Sequence, residues 1–370
     1  MTHEFVNQRA RREIFDLQAY VPGKPIEEVK RELGLDDVIK LASNENPLGA
    51  SPLGRAAVIA GVNRLHLYPD SYCYELKAAL AEFWRVTSAQ LLVANGSDEV
   101  LRLIAETFLN PGDEVIIGEP TFSEYRFVAT IMGAKTVTVP LRDYRYDLTA
   151  MAAAISPATK ILIICNPNNP TGAMVSRTEI EIFLDSVSEE VLVVFDEAYS
   201  EYVSDPAFVS GLDYIEKKPN LMVLHTFSKI YGLAGLRVGY GIAHQDLIAA
   251  INRVKDPFNV NIIAQAAAQA ALADSDHIKC SRELNERGKA FLYHNLSALG
   301  LSYVPTESNF ILVDTGRDGL QVFQELMRMG IIIRPAHSFG YPSHIRVTIG
   351  TEAENIRFIE GLKQVLAQRV

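Results

Sequence analysis

Lys160-Ile161-Leu162-Ile163-Ile164-Cys165-Asn166-Pro167-Asn168-Asn169-Pro170-Thr171-Gly172 is the stretch on which the fold turns. Its first half is an unbroken apolar run rich in β-branched residues, the pattern of a strand buried on both faces. Its second half, with two prolines, three asparagines and a glycine, spells a tight, rigid loop. Read alone, that loop is a turn as readily as a device for holding one amide in place.

The same arrangement recurs on either side. Downstream, Val191–Phe195 is followed by Asp196-Glu197-Ala198-Tyr199. A carboxylate directly after five apolar residues is expected to be partly buried and to need a partner. That partner is either a structural cap or arginine, or the cationic group of a ligand. Next, Leu221–Thr226 runs into Phe227-Ser228-Lys229, trailed by Gly235-Leu236-Arg237-Val238-Gly239-Tyr240. A lysine that leaves a buried strand among small residues is expected to be half-buried. Desolvation lowers an amine's pKa and frees its lone pair for Schiff-base chemistry. Upstream, Leu91–Ala94 ends at Asn95-Gly96-Ser97-Asp98-Glu99 and a helix. Backbone N–H groups beside a glycine suit a phosphate, and Ser97 or Asp98 equally suits an ordinary N-cap.

Helical spacing fills the gaps between these runs. Tyr74–Trp84, Val100–Leu109 and Ser123–Met132 read as helices, the last two stopped by Asn110-Pro111-Gly112-Asp113 and by Gly133, with a strand at Val115–Gly118. Continuous apolar strands alternating with helices predict an α/β fold whose large domain holds a mostly parallel sheet flanked by helices. Ligands of such folds sit at the carboxyl ends of the strands, where these polar blocks lie. The Asn261–Ala273 helix marks a boundary, after which a smaller C-terminal α/β domain is expected. Pro-Gly-Lys-Pro at 22–25 breaks the first forty residues into an arm and a short helix. The expected division is 1–42 for the N-terminal arm and part of the small domain, 43–272 for the large domain, and 273–370 for the small C-terminal domain.

With 370 residues, 48% of them hydrophobic and 22% charged, the chain has the material for about two globular domains. A net charge of −10 gives it no electrostatic attraction to nucleic acid or to an anionic membrane, so an anionic substrate must be held by local arginines. Cys73, Cys165 and Cys280 are widely spaced and odd in number, which suits a reducing cytoplasm and excludes a disulfide framework or a cysteine metal cluster. Met1 to Arg12 has no apolar core of the signal-peptide kind, and no apolar run approaches the ~18–20 residues that span a bilayer. Walker A, GxGxxG and His-Glu-x-x-His motifs are absent, and no metal site is expected.

Taken in order, these blocks resemble the aspartate aminotransferase-like superfamily of fold type I pyridoxal-phosphate (PLP) enzymes, and within it the histidinol-phosphate aminotransferases. The likeness runs from Leu41-Ala42-Ser43-Asn44-Glu45-Asn46-Pro47-Leu48-Gly49 through Tyr68-Pro69-Asp70 and the strand-end blocks to Ile345-Arg346-Val347-Thr348-Ile349-Gly350. It implies PLP as the cofactor, with Lys229 as Schiff-base lysine and proton shuttle. It implies Asp196 against the pyridine nitrogen, Tyr199 and Asn169 on the phenolic oxygen, and Phe122 stacked on the ring. Many relatives have tyrosine where Phe122 stands, so the stacking face is kept and a hydroxyl is lost. Ser97, Asp98, Ser228 and Arg237 would cradle the phosphate. Tyr68 would reach that phosphate from the neighbouring subunit of a homodimer with shared sites. Arg346 would bind the substrate's anionic group, with Arg334, Asn46 and Tyr20 as further substrate contacts.

The implied reaction moves an amino group between a small-molecule amino donor and a 2-oxo acid. In this group that is histidinol phosphate plus 2-oxoglutarate giving imidazole-acetol phosphate and glutamate. An aromatic amino-acid aminotransferase and a threonine-phosphate decarboxylase share the motifs and stay open. A PLP-binding regulator would need a DNA-binding module, for which the acidic chain and short N-terminus offer no place.

Overall fold

The computed structural model describes residues 2–17 and 23–367. Thirteen strands lie among them: β1 (Ile39–Lys40), β2 (Leu91–Ala94), β3 (Glu114–Glu119), β4 (Lys135–Pro140), β5 (Thr159–Cys165), β6 (Leu192–Asp196), β7 (Leu221–Thr226), β8 (Gly239–Ala243), β9 (Ser302–Val304), β10 (Phe310–Asp314), β11 (Ile331–Ile332), β12 (Arg334–Pro335) and β13 (His344–Thr348). Seven form one sheet in the order β2-β8-β7-β6-β5-β3-β4. Only β8 runs against its neighbours; every other pair is parallel. The apolar runs read from the sequence occupy its centre, where all residues of β6 and β7 are buried. Each fully buried Val, Leu or Ile contributes roughly 1.5–3 kcal/mol, so these short strands are held by their neighbours' side chains as much as by the ladder. The fold is the α/β arrangement expected, with helices such as Gly96–Phe108 and Ile262–Leu272 contributing to its core.

Strands β10 and β13 pair antiparallel at the centre of a second sheet, ordered β12-β13-β10-β9. β1 pairs parallel with β11. Leu41 joins an apolar cluster built from Leu292, Leu296, Ile311, Val322, Ile345, Phe358 and their neighbours. The stretch from Val29 to Ala42 is therefore packed with C-terminal elements, 250 or more residues away in sequence, whereas Arg12–Phe15 lies against helix Glu124–Ile131.

The sequence reading did not contain β8. Its Gly239-Tyr240-Gly241-Ile242-Ala243 has poor strand propensity. The glycines are required by proximity: a Cβ at Gly239 would lie 2.7 Å from the Ser97 nitrogen, and one at Gly241 would lie 2.2 Å from Met222 Cε. The strand is specified by packing against helix Gly96–Phe108 and β7.

Gly232, three residues after Lys229, has φ 68°, and a Cβ there would sit 2.0 Å from the Gly49 carbonyl oxygen. Gly232→Ala is expected to lose at least about 2 kcal/mol of stability, from left-handed strain plus a backbone clash. Thermal melting of the variant beside the parent checks this; an unchanged melting temperature refutes it.

Among the described residues no helix is long and apolar enough to cross a membrane, and no group of three or more His, Cys, Asp or Glu is placed to hold a metal ion.

Candidate active site

A cleft of about 1050 Å³ opens over the carboxyl ends of β5, β6 and β7 and is closed on its other side by residues around β12 and β13. Parallel pairing sets Cys165 beside Asp196 and Asp196 beside Leu224. The loops leaving these strands therefore deliver Asn169, Tyr199 and Lys229 to one place, in keeping with the ligand position of open parallel sheets.

Lys229 is half-buried, with Nζ 3.4 Å from the Ser43 carbonyl oxygen and 5.5 Å from the centre of the Tyr199 ring. Burial, then the nearby Arg346 charge, push its pKa down to about 8. At neutral pH roughly a tenth of such amines carry a free lone pair, against fewer than one in a thousand for an ordinary lysine. That difference is chemically decisive.

Asp196 ends β6 at 3% exposure. Tyr125 donates its hydroxyl to Oδ2 at 2.7 Å, and the Ala198 N–H donates to Oδ1 at 3.2 Å. Burial outweighs both hydrogen bonds and the Lys229 charge, and raises the carboxyl pKa to about 6. A buried carboxylate in this condition gains from a cationic group placed against it. Tyr199 is buried with its hydroxyl oxygen accepting from Asn44 Nδ2 at 2.9 Å. Burial holds this phenol well above its usual range, so it remains protonated.

A cradle for an anion lies at the start of helix Gly96–Phe108. Gly96 has φ 79°, and a Cβ there would come within 2.8 Å of an Arg237 guanidinium nitrogen. The bare backbone lets Arg237 lie over the helix N-terminus, where N–H groups and the dipole favour negative charge. Arg237 donates to Ser228 Oγ at 3.3 Å and to Asp98 Oδ2 at 3.0 Å. Arg237 and Asp98 are 48% and 44% exposed, so this pair is worth under about 1 kcal/mol and yields easily to a phosphate. Ser97 is buried in the first turn.

Arg346 lies on the opposite wall. It donates to Asn169 Oδ1 and, at 2.8 Å, to the Ala42 carbonyl, with its guanidinium 5.2 Å from the Phe310 ring centre. Arg334 faces it across the β12–β13 pair and also lines the cleft. Two arginines so placed make a strong anion subsite. Phe122 lines the cleft with its ring set edge-on to Tyr125, 5.7 Å between centres.

The structure does not bring every candidate together. Tyr68 is 82% exposed and stacked on Phe258, outside the cleft. Asn46 borders a smaller neighbouring cavity of about 400 Å³; its amide donates to Ile230 O and Ser281 Oγ and accepts from the Leu48 N–H. Tyr20 lies outside the described residues. Conversely, Asn44 and Tyr125 touch the site and were not singled out in the sequence. Tyr125 stands one helical turn after Phe122, and a buried tyrosine hydroxyl needs a partner, which was the available signal.

The arrangement suits a ligand with a phosphate at Gly96–Asp98 and Arg237, a carbonyl near Lys229, and a basic ring nitrogen against Asp196. Comparison with known proteins bears on what that ligand is. Residues 36–362 match the family model described as aminotransferase class I and II. The histidinol-phosphate aminotransferase of Moorella thermoacetica is 52% identical over 360 residues, covering 97% of this chain and 93% of that protein. That of Symbiobacterium thermophilum is 47% identical over 352 residues, covering 95% and 97%. Among solved structures, histidinol-phosphate aminotransferase from Sinorhizobium meliloti in complex with pyridoxal-5'-phosphate superposes with a TM-score of 0.89 at 28% identity, over 97% of this chain and 98% of that one.

Proposed function

We propose, for a chain that belongs to the class I and II aminotransferases, transfer of the amino group of histidinol phosphate to 2-oxoglutarate, giving imidazole-acetol phosphate and glutamate, with PLP held in the cleft. The observation that carries it is the convergence, in one cleft, of a lysine with depressed pKa, a buried carboxylate and two anion-binding sites. The likeness to histidinol-phosphate aminotransferases over nearly the whole chain supports the substrate.

These residues fit PLP at each end. When bound, the cofactor supplies a carbonyl that takes up the amino group and a cationic ring that withdraws electrons from the reacting carbon. The chain supplies the rest. The helix N-terminus, Ser97, Ser228 and Arg237 would grip the phosphate. Asp196 would hold a proton on the ring nitrogen, and Tyr125 holds Asp196. Asn169 and Tyr199 would meet the ring oxygen, and Phe122 the ring face. Lys229 Nζ would carry the proton from the substrate's α-carbon, within reach of the same site. Arg346 and Arg334 would receive the phosphate of histidinol phosphate in one half of the reaction and a carboxylate of glutamate in the other.

The same reading includes a homodimer in which Tyr68 reaches the partner's cofactor phosphate, a cytoplasmic location, and the division at residues 42 and 272. A band of exposed apolar side chains around Tyr68, including Leu65, Leu67 and Tyr72, supports the dimer.

Mixed with histidinol phosphate alone, the holoenzyme is expected to release one imidazole-acetol phosphate per site and stop. Adding 2-oxoglutarate restarts turnover and yields glutamate. Faster reaction with phenylalanine under the same conditions would replace the substrate by an aromatic amino acid, and CO₂ from threonine phosphate would replace the reaction.

The depressed lysine pKa makes a second expectation. Covalent uptake of pyridoxal phosphate by cofactor-free protein needs the neutral amine. Its rate is expected to climb about tenfold per pH unit up to about 8 and to flatten above that value. Stopped-flow absorbance between pH 6 and 10 measures it, and a rise continuing to pH 10 would contradict the perturbed pKa.

A further inference from the structure

Asn44 is 1% exposed and adopts φ 55°, in the left-handed region that asparagine tolerates better than most residues. Each of its polar atoms has a partner. The backbone N–H donates to Thr348 Oγ1 at 2.9 Å, and the carbonyl oxygen accepts from Asn309 Nδ2 at 3.0 Å. The side-chain Oδ1 accepts from the Thr348 hydroxyl at 3.4 Å, and Nδ2 donates to the Tyr199 hydroxyl oxygen at 2.9 Å.

The Thr348 hydroxyl oxygen accepts the Asn44 backbone N–H and its proton goes to Oδ1, an arrangement in which Nδ2 faces Tyr199. An amide nitrogen has no lone pair to accept with. The Tyr199 proton is therefore turned away from Asn44, and the ring lines the cleft. From this geometry, and resting on the functional reading above, we infer that Asn44 is a positioning residue that aims the Tyr199 hydroxyl proton into the cleft, making Tyr199 an obligate donor to the ring oxygen of the cofactor. Accepting from Asn44 also polarises the tyrosine O–H and strengthens it as a donor. The anchors of Asn44 are Thr348 on β13 and Asn309 beside β10, so the C-terminal sheet fixes a proton position on the far wall of the site.

The test reads the pH titration of the visible absorbance band of the holoenzyme, not its turnover. A donor on the ring oxygen draws charge from it and lowers the proton affinity of the neighbouring nitrogen, so losing the donor raises the titration midpoint. Asn44→Gly removes the amide while keeping the left-handed backbone. Asn44→Asp keeps the shape and offers an acceptor that draws the Tyr199 proton back. Both are expected to raise the midpoint by about one unit, a tenfold change in proton affinity, in the direction of Tyr199→Phe. In a Tyr199→Phe background Asn44→Gly is expected to add nothing.

Should Asn44→Gly fail to fold, Asn44→Asp carries the measurement. A lowered melting temperature with an unmoved midpoint would make Asn44 merely structural and overturn the inference. An equal further shift in the Tyr199→Phe background would overturn it too, since the effect would bypass Tyr199. A parent protein that takes up no pyridoxal phosphate and shows no visible band would overturn the functional reading, and this inference with it.

Discussion

Lys229→Ala is expected to reduce kcat by about four orders of magnitude or more, the scale of a lost general base compounded with a lost covalent attachment. Lys229 is the one lysine among the described residues lining the cleft, so no neighbouring amine stands ready to replace it. Lys229→Arg is expected to fail as badly, because a guanidinium stays protonated and offers no lone pair at neutral pH. Stability should move the other way. Burial opposes the charged amine, as its pKa of about 8 records, so truncating it removes an unfavourable ionisation and leaves the melting temperature of the cofactor-free protein unchanged or higher. Single-turnover assays with histidinol phosphate, paired with melting curves, separate the two effects. Turnover within tenfold of the parent would end the assignment of Lys229.

Asp196→Asn is expected to lower kcat by about two to three orders of magnitude, the usual loss when a preorganised electrostatic group is removed from a water-excluded site. A carboxamide is nearly isosteric and keeps the Tyr125 contact, but it carries no charge to hold a proton on a ring nitrogen. The same substitution has a signature in stability. The folded-state pKa of about 6 lies above the reference value of 3.8, so the folded protein binds the proton more tightly than the unfolded chain. Without cofactor, the parent should therefore lose stability as pH rises from about 4 to 6, by up to about 3 kcal/mol. The Asn variant should show no such loss in that window. With cofactor bound, a cation against Asp196 should reverse the order and make the parent the more stable of the two at pH 7. Urea melts at pH 4 and pH 7, with and without pyridoxal phosphate, provide the comparison. A parent whose stability rises between pH 4 and 6 to the same extent as the variant's would contradict the buried, uncompensated carboxylate.

Much of this site was legible because the chemistry sits where the chain changes character. An apolar run that ends in Asp196, or in Ser228-Lys229, announces a buried strand delivering a polar group, and period and polarity are local properties of sequence. Arg346 was legible only through its resemblance to a family pattern; strand spacing alone would leave it a surface arginine. Its burial at 6% exposure and its bonds to Asn169 and Ala42 depend on segments 177 and 304 residues away. Asn46 shows the reverse. It stands in the same block as Asn44, yet the left-handed turn at Asn44 sends the two amides to different partners, one to Tyr199 and the other to Ile230 and Ser281.

By itself the sequence determined the layered α/β architecture and the four polar strand ends, among them those that carry Asp196 and Lys229. Burial and periodicity act within a dozen residues, so these features need no knowledge of the rest of the chain. Only the tertiary structure decided that β8 exists, with the glycine at 239 imposed by the helix that carries Ser97 and the glycine at 241 by Met222 of β7. It also decided that residues 39–42 pack with C-terminal strands, and that Asn44 and Tyr125 hydrogen-bond Tyr199 and Asp196. Such contacts are made between residues far apart in sequence, and a hydrogen bond depends on ångström-scale placement that no local pattern encodes.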